Sequence, residues 1–445
     1  MPDHATSSDP AVQTQLDRFA QLSPGRDILG LERIAALMAA LGNPHQKLPP
    51  VFHVAGTNGK GSTCAFLRAA IEASGLTAHV YTSPHLVRFN ERIRLAGRLI
   101  DDNRLAPLLA EVLDHAEGLE VSFFEVTTAA AFLAFSRTPA DAAIIEVGLG
   151  GRLDATNVIA APAICGMASL GIDHEAFLLA PEAGIPPETE IDPLARIGWE
   201  KAGIAKSGVP LVTQSYPAKV NAVIADHAAH SGAVLHARKG DWDAAIYNGQ
   251  IAYRDAKGTL KLPLPRMPGA HQADNAALAV AMLRHQSELA IPDAAYAAAM
   301  EWAHWPARLQ RLGPGLLSAC LPAGTEIWID GGHNVDAGLA LAGHFGPGET
   351  RLHLIMGMLA GKDPASIIAP LRRQLTSITV VPVPGHAYHS AHTFAESASG
   401  IPIGEAVDIH AALAAFTPRR GEAVLIAGSL YLAGEVLRAN DQVPD

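Results

Sequence analysis

Cysteine is scarce in this 445-residue chain, and the positions of the few cysteines exclude two kinds of cross-link. The three residues, Cys64, Cys165 and Cys320, are widely separated in the sequence. Disulfide frameworks and structural zinc sites need paired or closely spaced cysteines, so neither is predicted. Residues 1–11 also lack the basic start and apolar run of a secretory signal. A reducing, cytoplasmic setting is therefore expected.

The chain also lacks an excess of positive charge and any long apolar run. Its 33 Lys and Arg residues stand against 44 Asp and Glu residues, which gives a net charge of −11. Neither a nucleic acid nor an anionic membrane surface is expected as a partner. Apolar stretches such as residues 142–147 have the length of a strand, far below the roughly 20 residues that span a bilayer. A monomer that acts on small molecules is predicted.

Hydrophobic residues make up 49% of the chain and charged residues only 17%, which excludes a disordered protein. At roughly 150 residues per domain, the length predicts two or three domains. A β-rich run at residues 51–54 leads into a glycine-rich segment and then a helical pattern at residues 63–74. Apolar runs at 142–147, 163–170 and 209–214 alternate with helix-like stretches, which is typical of parallel strands joined by crossover helices.

The second half of the sequence predicts a change of architecture. Residues 241–264 show short alternating strands with a turn at Asn248-Gly249, which indicates a hairpin, and a helix is predicted at residues 273–284. A new α/β series follows, so domains of residues 1–306 and 307–445 are expected. The strands of this second α/β series are predicted at residues 326–330, 351–356, 378–383 and 423–427. The acidic stretch 175–193 holds four prolines and is predicted to be a surface loop.

The strongest local signal is the glycine-rich segment Gly56-Thr57-Asn58-Gly59-Lys60-Gly61-Ser62. Backbone N–H groups of such a loop, at a helix N-terminus, can hold a polyphosphate while Lys60 supplies positive charge. The spacing departs from the usual P-loop, because Gly61 stands between Lys60 and the Ser62 hydroxyl. Glu146 ends an apolar strand, a position from which a carboxylate can hold magnesium against the phosphates.

This loop resembles the nucleotide loop of the Mur ligase superfamily, and in particular that of the dihydrofolate synthase/folylpolyglutamate synthase family. Other segments, from about residue 28 to the end of the chain, resemble motifs of the same family in the same order. They are Gly30-Leu31-Glu32-Arg33, Thr82-Ser83-Pro84-His85-Leu86, Phe124-Glu125, residues 146–157, Asp173-His174, residues 200–204, His271-Gln272 with Asn275, Arg308-Leu309-Gln310, and Asp330 with His333-Asn334.

The resemblance implies a fold and an activity. The fold would be a P-loop-containing parallel-sheet ATPase domain that also binds the pterin substrate, followed by a smaller Rossmann-like α/β domain for glutamate ligation. The activity would be that of an ADP-forming ligase. It would join L-glutamate to 7,8-dihydropteroate, and to the γ-carboxylate of reduced folates, through an acyl phosphate.

The resemblance also implies the residues of the site. Catalysis would depend on Lys60, Glu146, His174 and Lys201. ATP would be bound by Thr57, Asn58, Gly59, Lys60, Gly61, Ser62, Asn275, Arg308, Asp330 and His333. The pterin-bearing substrate would lie against Gly30, Leu31, Ser122, Phe123, Phe124, Glu125, Leu153, Asp154 and Ala155.

Two magnesium ions are implied, one held by Ser83 and Glu146 and the other by His174 with Glu146 nearby. Lys201 would be carbamylated, which turns a cation into an anion that supports the second metal. Without the resemblance, His174 would be interpreted as a polar residue after a strand and Lys201 as a solvated lysine near a helix end.

Two other classes of protein stay open at this point. One is a different amide ligase of the Mur superfamily, such as one that acts on a cell-wall nucleotide. The other is a nucleotide-driven binding protein that hydrolyses ATP without an acyl acceptor. The whole set of motifs, especially the segments at Phe124-Glu125 and Leu153-Asp154-Ala155, weighs against the first of these classes.

Overall fold

The computed structural model describes residues 5–22, 29–182, 185, 192–346, 350–419 and 421–445. The chain divides into two compact units. The first contains Met1–Arg266, Ala273–His304 and Asp445, and the second contains Met267–Gln272 and Trp305–Pro444. The sequence predicted a domain boundary after residue 306. The predicted roles of the two domains, ATP and pterin binding for the first and glutamate ligation for the second, stay predictions.

The first unit is built on a sheet whose strand order is β4-β3-β2-β5-β1-β6-β7-β8. All neighbouring strands from β2 to β8 are parallel, and β3 and β4 are antiparallel additions at one edge. The strands are β1 (Val51–Ala55), β2 (Ala78–Tyr81), β3 (Ile93–Leu95), β4 (Arg98–Leu99), β5 (Ala142–Glu146), β6 (Ile164–Met167), β7 (Pro210–Thr213) and β8 (Val234–Ala237).

Every residue of the central strands β1 and β5 is buried, because helices cover both faces of the sheet, as parallel sheets require. The helices of this unit are α1 (Pro10–Leu22), α2 (Glu32–Ala40), α3 (Lys60–Ala73), α4 (Asp102–His115), α5 (Phe123–Arg137), α6 (Glu175–Leu178), α7 (Pro193–Ala202), α8 (Ala218–Ser231), α9 (His271–His285) and α10 (Asp293–Trp302). The predicted strand–loop–helix at the glycine-rich segment is confirmed as β1, loop and α3.

One local prediction was confirmed in part, and another was wrong. The hairpin predicted with a turn at Asn248-Gly249 is formed by β9 (Trp242–Tyr247) and β10 (Gln250–Asp255), and β11 (Gly258–Pro263) extends it to an antiparallel meander. A third strand forms because alternate leucines, Leu260 and Leu262, are buried. Within the predicted loop 175–193, residues 175–178 form helix α6, with Leu178 buried. Residues 183–184 and 186–191 of that stretch lie outside the described residues.

The second unit is also α/β, which confirms the predicted fold class. Its sheet has the order β12-β13-β17-β14-β15-β16, parallel apart from the edge strand β12. Its strands are β12 (Gln310–Arg311), β13 (Glu326–Ile329), β14 (Arg351–Met356), β15 (Leu375–Val380), β16 (Ile403–Glu405) and β17 (Glu422–Ala427). Its helices are α11 (Val335–Phe345), α12 (Ala365–Leu371), α13 (Ala391–Ser397), α14 (Ile409–Ala414) and α15 (Leu430–Ala439).

This topology positions the candidate site. The carboxyl ends of adjacent parallel strands meet at one edge of a sheet, which is where ligands gather in α/β folds. In the first unit this edge carries the segments that follow β1, β2, β5 and β6. Within the described ranges, no helix is both long and apolar enough to span a lipid bilayer.

Candidate nucleotide and metal site

The glycine-rich loop after β1 is fastened to the segment that follows the neighbouring strand β6. The backbone N–H groups of Thr57 and Asn58 both donate to Ser169 O, at 2.8 and 3.3 Å. The Thr57 hydroxyl donates to Gly171 O at 3.0 Å and accepts from Gly171 N at 3.1 Å. These bonds fix the conformation of the loop, so the loop would lose little conformational entropy when it binds a ligand.

Gly59 caps α3 with φ 82°, a left-handed conformation that favours glycine. A Cβ atom at this position would also lie 2.3 Å from Asn275 Oδ1. Asn275 is buried in the first turns of α9, so the loop and this amide lie against each other. Gly61 and Ser62 follow in the first turn of α3, and both are buried.

Two lysine amines reach the same carbonyl oxygen of the loop. Lys60 Nζ donates to Gly56 O at 3.0 Å and to Thr57 O at 3.3 Å, and Lys201 Nζ donates to Gly56 O at 3.0 Å. Lys201 is 4% exposed. Burial, together with the charge of Lys60, lowers the pKa of Lys201 to about 7. The amine of Lys201 is therefore uncharged in a substantial fraction of molecules near neutral pH.

Glu146 and Ser83 lie side by side because β2 and β5 are parallel neighbours. Glu146 is the last residue of β5, and its Oε2 accepts a hydrogen bond from Ser83 N at 3.2 Å. The carboxylate and the Ser83 hydroxyl are the hard oxygen ligands that Mg²⁺ prefers. The part of the chain that the structure describes holds no cluster of three or more His, Cys, Asp or Glu side chains able to bind a metal. Magnesium that takes its other ligands from phosphates and water fits this pair.

His174 lies at the start of the short helix α6, beyond the end of β6. Its side chain is exposed, and its φ is 54°. The backbone N–H of His174 donates to Asp173 Oδ1 at 2.8 Å. Its assignment to the second magnesium ion stays a prediction.

The predicted acceptor segment at residues 122–125 begins helix α5 through a capping box. Glu125 N donates to Ser122 Oγ at 3.2 Å, and Ser122 N donates to Glu125 Oε2 at 2.7 Å. Arg33 Nη2 lies 3.2 Å from Glu125 Oε1, which ties α2 to this helix start. The Phe123 ring packs 5.0 Å from the Phe19 ring. The ring of Phe124 lies against Gly148, in the loop after β5.

The capping role of Ser122 makes a prediction. Ser122→Ala should lower the free energy of unfolding by about 1 kcal/mol, because Glu125 N loses its hydrogen-bond acceptor. Urea denaturation of the purified chain measures this change. Ser136→Ala is the control, since its hydroxyl donates to Leu133 O near the end of the same helix and caps no N-terminus. Equal stability of the Ser122 variant and the wild-type chain would contradict the capping role.

Asp154 organises the loop that follows β5. It is buried, its Oδ2 accepts from Leu149 N at 2.8 Å, and its Oδ1 accepts from Thr156 N at 3.0 Å. Burial raises the pKa of this carboxyl. Leu153 is half-buried before it, and Ala155 is buried at the start of a 3-10 turn. Gly30 and Leu31, also predicted to touch the pterin, are half-buried just before α2.

In the second unit, Asp330 holds the turn that carries Arg308. Its Oδ2 accepts from Leu309 N at 2.8 Å, and its Oδ1 accepts from Gly332 N at 2.7 Å. Gly331 N donates to Ala307 O at 3.0 Å. The residues on either side of Arg308 both have positive φ, 55° and 46°, so the carboxylate stabilises a strained turn. His333 follows β13 on the same segment, with Nδ1 3.2 Å from Gly331 O.

Sequence reasoning assigned no role to several charged residues beside the site. Arg152 and Arg196 both contact Glu200, the residue before Lys201. Arg196 and Glu200 are four residues apart, a spacing from which an ion pair on one face of a helix can be predicted. The pairing of Arg152 with Glu200 depends on the fold. Arg238 Nη1 donates to Asp274 Oδ1 at 2.6 Å and so steadies the turn of α9 that carries Asn275.

The fold and this edge of the sheet are those of an α/β protein with a glycine-rich loop at a helix N-terminus, beside a pair of oxygen groups that suits magnesium. Comparison with known proteins identifies the family. No protein-family model matches the chain. The chain is 33% identical over 419 residues to the dihydrofolate synthase/folylpolyglutamate synthase of Escherichia coli (strain K12), covering 93% of this chain and 92% of that protein.

Solved structures agree with this relative. The chain superposes on Escherichia coli FolC in complex with DHPP and ADP with a TM-score of 0.85, 31% identity and coverage of 98% of both chains. A bifunctional folylpolyglutamate synthase/dihydrofolate synthase with Mn, AMPPNP and L-glutamate bound matches with a TM-score of 0.81 and 30% identity, covering 97% of this chain and 99% of that one.

The chain belongs to the dihydrofolate synthase/folylpolyglutamate synthase family. This result confirms the resemblance seen in the sequence and the predicted class of enzyme, an ADP-forming, ATP-dependent ligase. The roles of individual site residues stay predictions.

Proposed function

We propose that this chain joins L-glutamate to 7,8-dihydropteroate, and to the γ-carboxylate of reduced folates, with ATP as the source of energy. The observation that carries the proposal is the meeting of Lys60 and Lys201 at Gly56 O, on the sheet edge that also presents Glu146 and Ser83. Such an edge can hold a triphosphate and stabilise the charge that moves during phosphoryl transfer.

The chemical problem in making this amide is that a carboxylate is a poor electrophile and its oxygen a poor leaving group. In the proposed reaction, an oxygen of the acceptor carboxylate attacks the γ-phosphorus of ATP, and ADP leaves. The amine of glutamate then attacks the acyl carbon, and phosphate leaves with its bonding electron pair. A proton from the amine goes to solvent or to a nearby base.

The chain's own residues would bind and orient the nucleotide. The backbone N–H groups of residues 59–62, at the start of α3, would face the phosphates, whereas those of Thr57 and Asn58 are held by Ser169 O. Lys60 adds a charge that can move from the loop carbonyls to the γ-phosphoryl group. Asn275 lies against the loop at Gly59 and would position the adenosine end. Glu146 and Ser83 would hold magnesium, which neutralises phosphate charge when it is bound. Arg308, Asp330 and His333 of the second unit keep their predicted roles in nucleotide binding.

The acceptor would lie near the start of α5. Phe124 and the segment 153–155 offer an apolar ring and backbone groups suited to a pterin and its aromatic extension. The contacts of Asp154 with Leu149 and Thr156 give it the role of shaping this segment.

Lys201 is proposed to carry a carbamate. The neutral amine attacks the carbon of CO₂, one C=O electron pair moves to oxygen, and the nitrogen loses a proton to solvent. Burial and the charge of Lys60 lower the pKa of Lys201 to about 7, so a far larger fraction of its amine is neutral near pH 7 than for a lysine with its ordinary pKa. The resulting anion would face Lys60 and support the second magnesium near His174.

Carbamylation of Lys201 predicts that the turnover of the enzyme depends on bicarbonate. Enzyme prepared in degassed, bicarbonate-free buffer should lose most of its turnover and recover it when bicarbonate is added. In ¹³C-bicarbonate, the wild-type chain should show a carbamate carbon signal by NMR, and Lys201→Ala should lack it. Full activity without bicarbonate and without a carbamate signal would contradict the modification.

A comparison of acceptors tests the proposed reaction. Purified enzyme is incubated with ATP, Mg²⁺ and glutamate, together with dihydropteroate, a reduced folate, a cell-wall nucleotide precursor or no acceptor, and the products are weighed by mass spectrometry. We expect products one glutamyl unit heavier with the first two acceptors and none with the others. Product from the cell-wall precursor alone would indicate a different Mur-type ligase. ADP release without any amide product would indicate a nucleotide-driven binding protein.

A further inference from the structure

Two arginines and a glutamate form a cluster beside Lys201, in which Arg196 and Glu200 are buried and the Arg152 side chain is 23% exposed. Arg152 lies in the loop after β5, whereas Arg196 and Glu200 lie on α7. The Nε and Nη2 atoms of Arg152 each lie 3.1 Å from a different oxygen of Glu200, and Arg196 Nη2 lies 2.8 Å from Glu200 Oε1. The Glu200 side chain is 6% exposed and is held by two guanidinium groups. We call these three residues the arginine–glutamate cluster.

The backbones of the same two segments are in direct contact. Arg152 N donates to Glu200 O at 2.8 Å. A Cβ atom at Gly151 would lie 2.8 Å from Lys201 O, and one at Gly203 would lie 2.4 Å from Arg152 Cβ. Because neither position has room for a side chain, the Arg152 segment and the end of α7 fit together as one rigid piece. The position of Lys201 therefore depends on the Arg152 segment.

The cluster also reaches the segment that carries His174. Arg196 Nε donates to Leu178 O at 3.1 Å, and Leu178 is the last residue of the helix that starts after His174. One set of ion pairs thus connects the loop after β5, the helix of Lys201 and the helix after His174.

The charges around Lys201 give the cluster an electrostatic role. The carboxylates of Asp173, Asp154 and Glu200 act on the Lys201 amine, and the charge of Lys60 acts in the opposite direction. A carbamate on Lys201 is an anion, so each neighbouring carboxylate opposes its formation. The two guanidinium groups compensate the charge of Glu200 at close range, and both also contact the more exposed carboxylate of Glu182. Loss of one of them would leave more of that charge to act on the carbamate.

We propose that Arg152 is a positioning residue of this enzyme: through Glu200, it holds Lys201 in the place and in the electrostatic field where its carbamate forms. This inference rests on the proposed function, because it presupposes that carbamate. Arg152 itself touches Glu200 and need not touch ATP or the acceptor.

The first experiment replaces Arg152 and measures the carbamate directly. In ¹³C-bicarbonate, Arg152→Met should lower the carbamate NMR signal, relative to the wild-type chain, about tenfold, a factor that corresponds to one pKa unit of interaction. The bicarbonate concentration for half-maximal kcat should rise by a similar factor. The KM for ATP should change by less than about threefold, because the P-loop is untouched.

Matched variants separate this role from a general loss of stability. Arg284 forms another buried two-point pair in the same unit, with Nε and Nη2 each 2.6 Å from an oxygen of Asp255. Arg284→Met should keep the wild-type carbamate signal and bicarbonate response. Adding Glu200→Gln to Arg152→Met removes the uncompensated charge and should restore at least half of the lost signal. Arg152→Lys keeps the positive charge but loses the planar guanidinium group that contacts both Glu200 oxygens, and it should lower the carbamate signal about threefold.

The outcomes are distinguishable. A wild-type chain without a carbamate signal would overturn the proposed carbamate, and with it this inference, while ligation itself could still be measured. A wild-type signal that persists in Arg152→Met, or in Arg152→Lys if the Met variant does not fold, would overturn the inference alone. Equal losses in Arg152→Met and Arg284→Met would show a structural role only. Absence of recovery in the double variant would overturn the electrostatic argument.

Discussion

Lys60→Ala is expected to lower kcat by roughly 10³-fold or more while the chain stays folded. Lys60 Nζ is held by the carbonyl oxygens of Gly56 and Thr57, from which it can turn to the phosphates of a bound ATP. Removal of a cation that stabilises charge in phosphoryl transfer costs orders of magnitude in turnover. Steady-state kinetics with ATP, glutamate and dihydropteroate measure the loss.

The stability of this variant should change little. Lys60 is at the first turn of α3 and is half-buried, so its free energy of unfolding should stay within about 1 kcal/mol of the wild-type value. Lys261→Ala is the matched control, because that lysine is exposed on β11. Turnover of Lys60→Ala close to that of Lys261→Ala would show that the loop does not bind the transferred phosphate.

Glu146→Gln should raise the Mg²⁺ concentration for half-maximal activity at least about 100-fold. The amide keeps an oxygen that can accept from Ser83 N, so the local geometry survives, but the negative charge that attracts the metal is lost. Changes even to residues that only support a metal ligand cost 10–100-fold in affinity, and a direct ligand should cost at least as much.

The measurement is a magnesium titration of turnover at saturating substrates. Glu111→Gln serves as the control, because Glu111 forms an exposed ion pair with Arg137 on the surface of the same unit. A half-maximal Mg²⁺ concentration that is the same in the Glu146 and Glu111 variants would remove Glu146 from the metal site.

Periodicity and turn residues were sufficient to predict most of the scaffold. The β1–loop–α3 unit, the strand that ends at Glu146 and the second α/β series all follow from local sequence patterns. The hairpin was predicted because its turn, Asn248-Gly249, is a strong hairpin signal, but the third strand was missed. The second turn, at Ala256-Lys257, was not recognised, although Leu260 and Leu262 alternate as strand residues do.

The arrangement of the site could be predicted only in part. Lys60 was identified from its glycine-rich segment and Glu146 from its position at the end of an apolar strand. The resemblance named Lys201, but its burial is visible only in the fold. The Arg152–Glu200 pair joins residues 48 positions apart, and no local pattern specifies such a contact. The sequence predicted that Asp330 binds the nucleotide. The structure shows that Asp330 also accepts a hydrogen bond from the turn that carries Arg308, a tertiary contact that no local pattern specifies.

The fate of one oxygen atom tests the proposed reaction most directly. Dihydropteroate labelled with ¹⁸O in its carboxylate is incubated with the enzyme, ATP, Mg²⁺ and glutamate, and both dihydrofolate and inorganic phosphate are analysed by mass spectrometry. The acyl phosphate route predicts one ¹⁸O atom in the phosphate for each dihydrofolate formed, because the carboxylate oxygen that attacks phosphorus leaves with it. Phosphate that carries no label, or phosphate released without dihydrofolate, would contradict the proposed function.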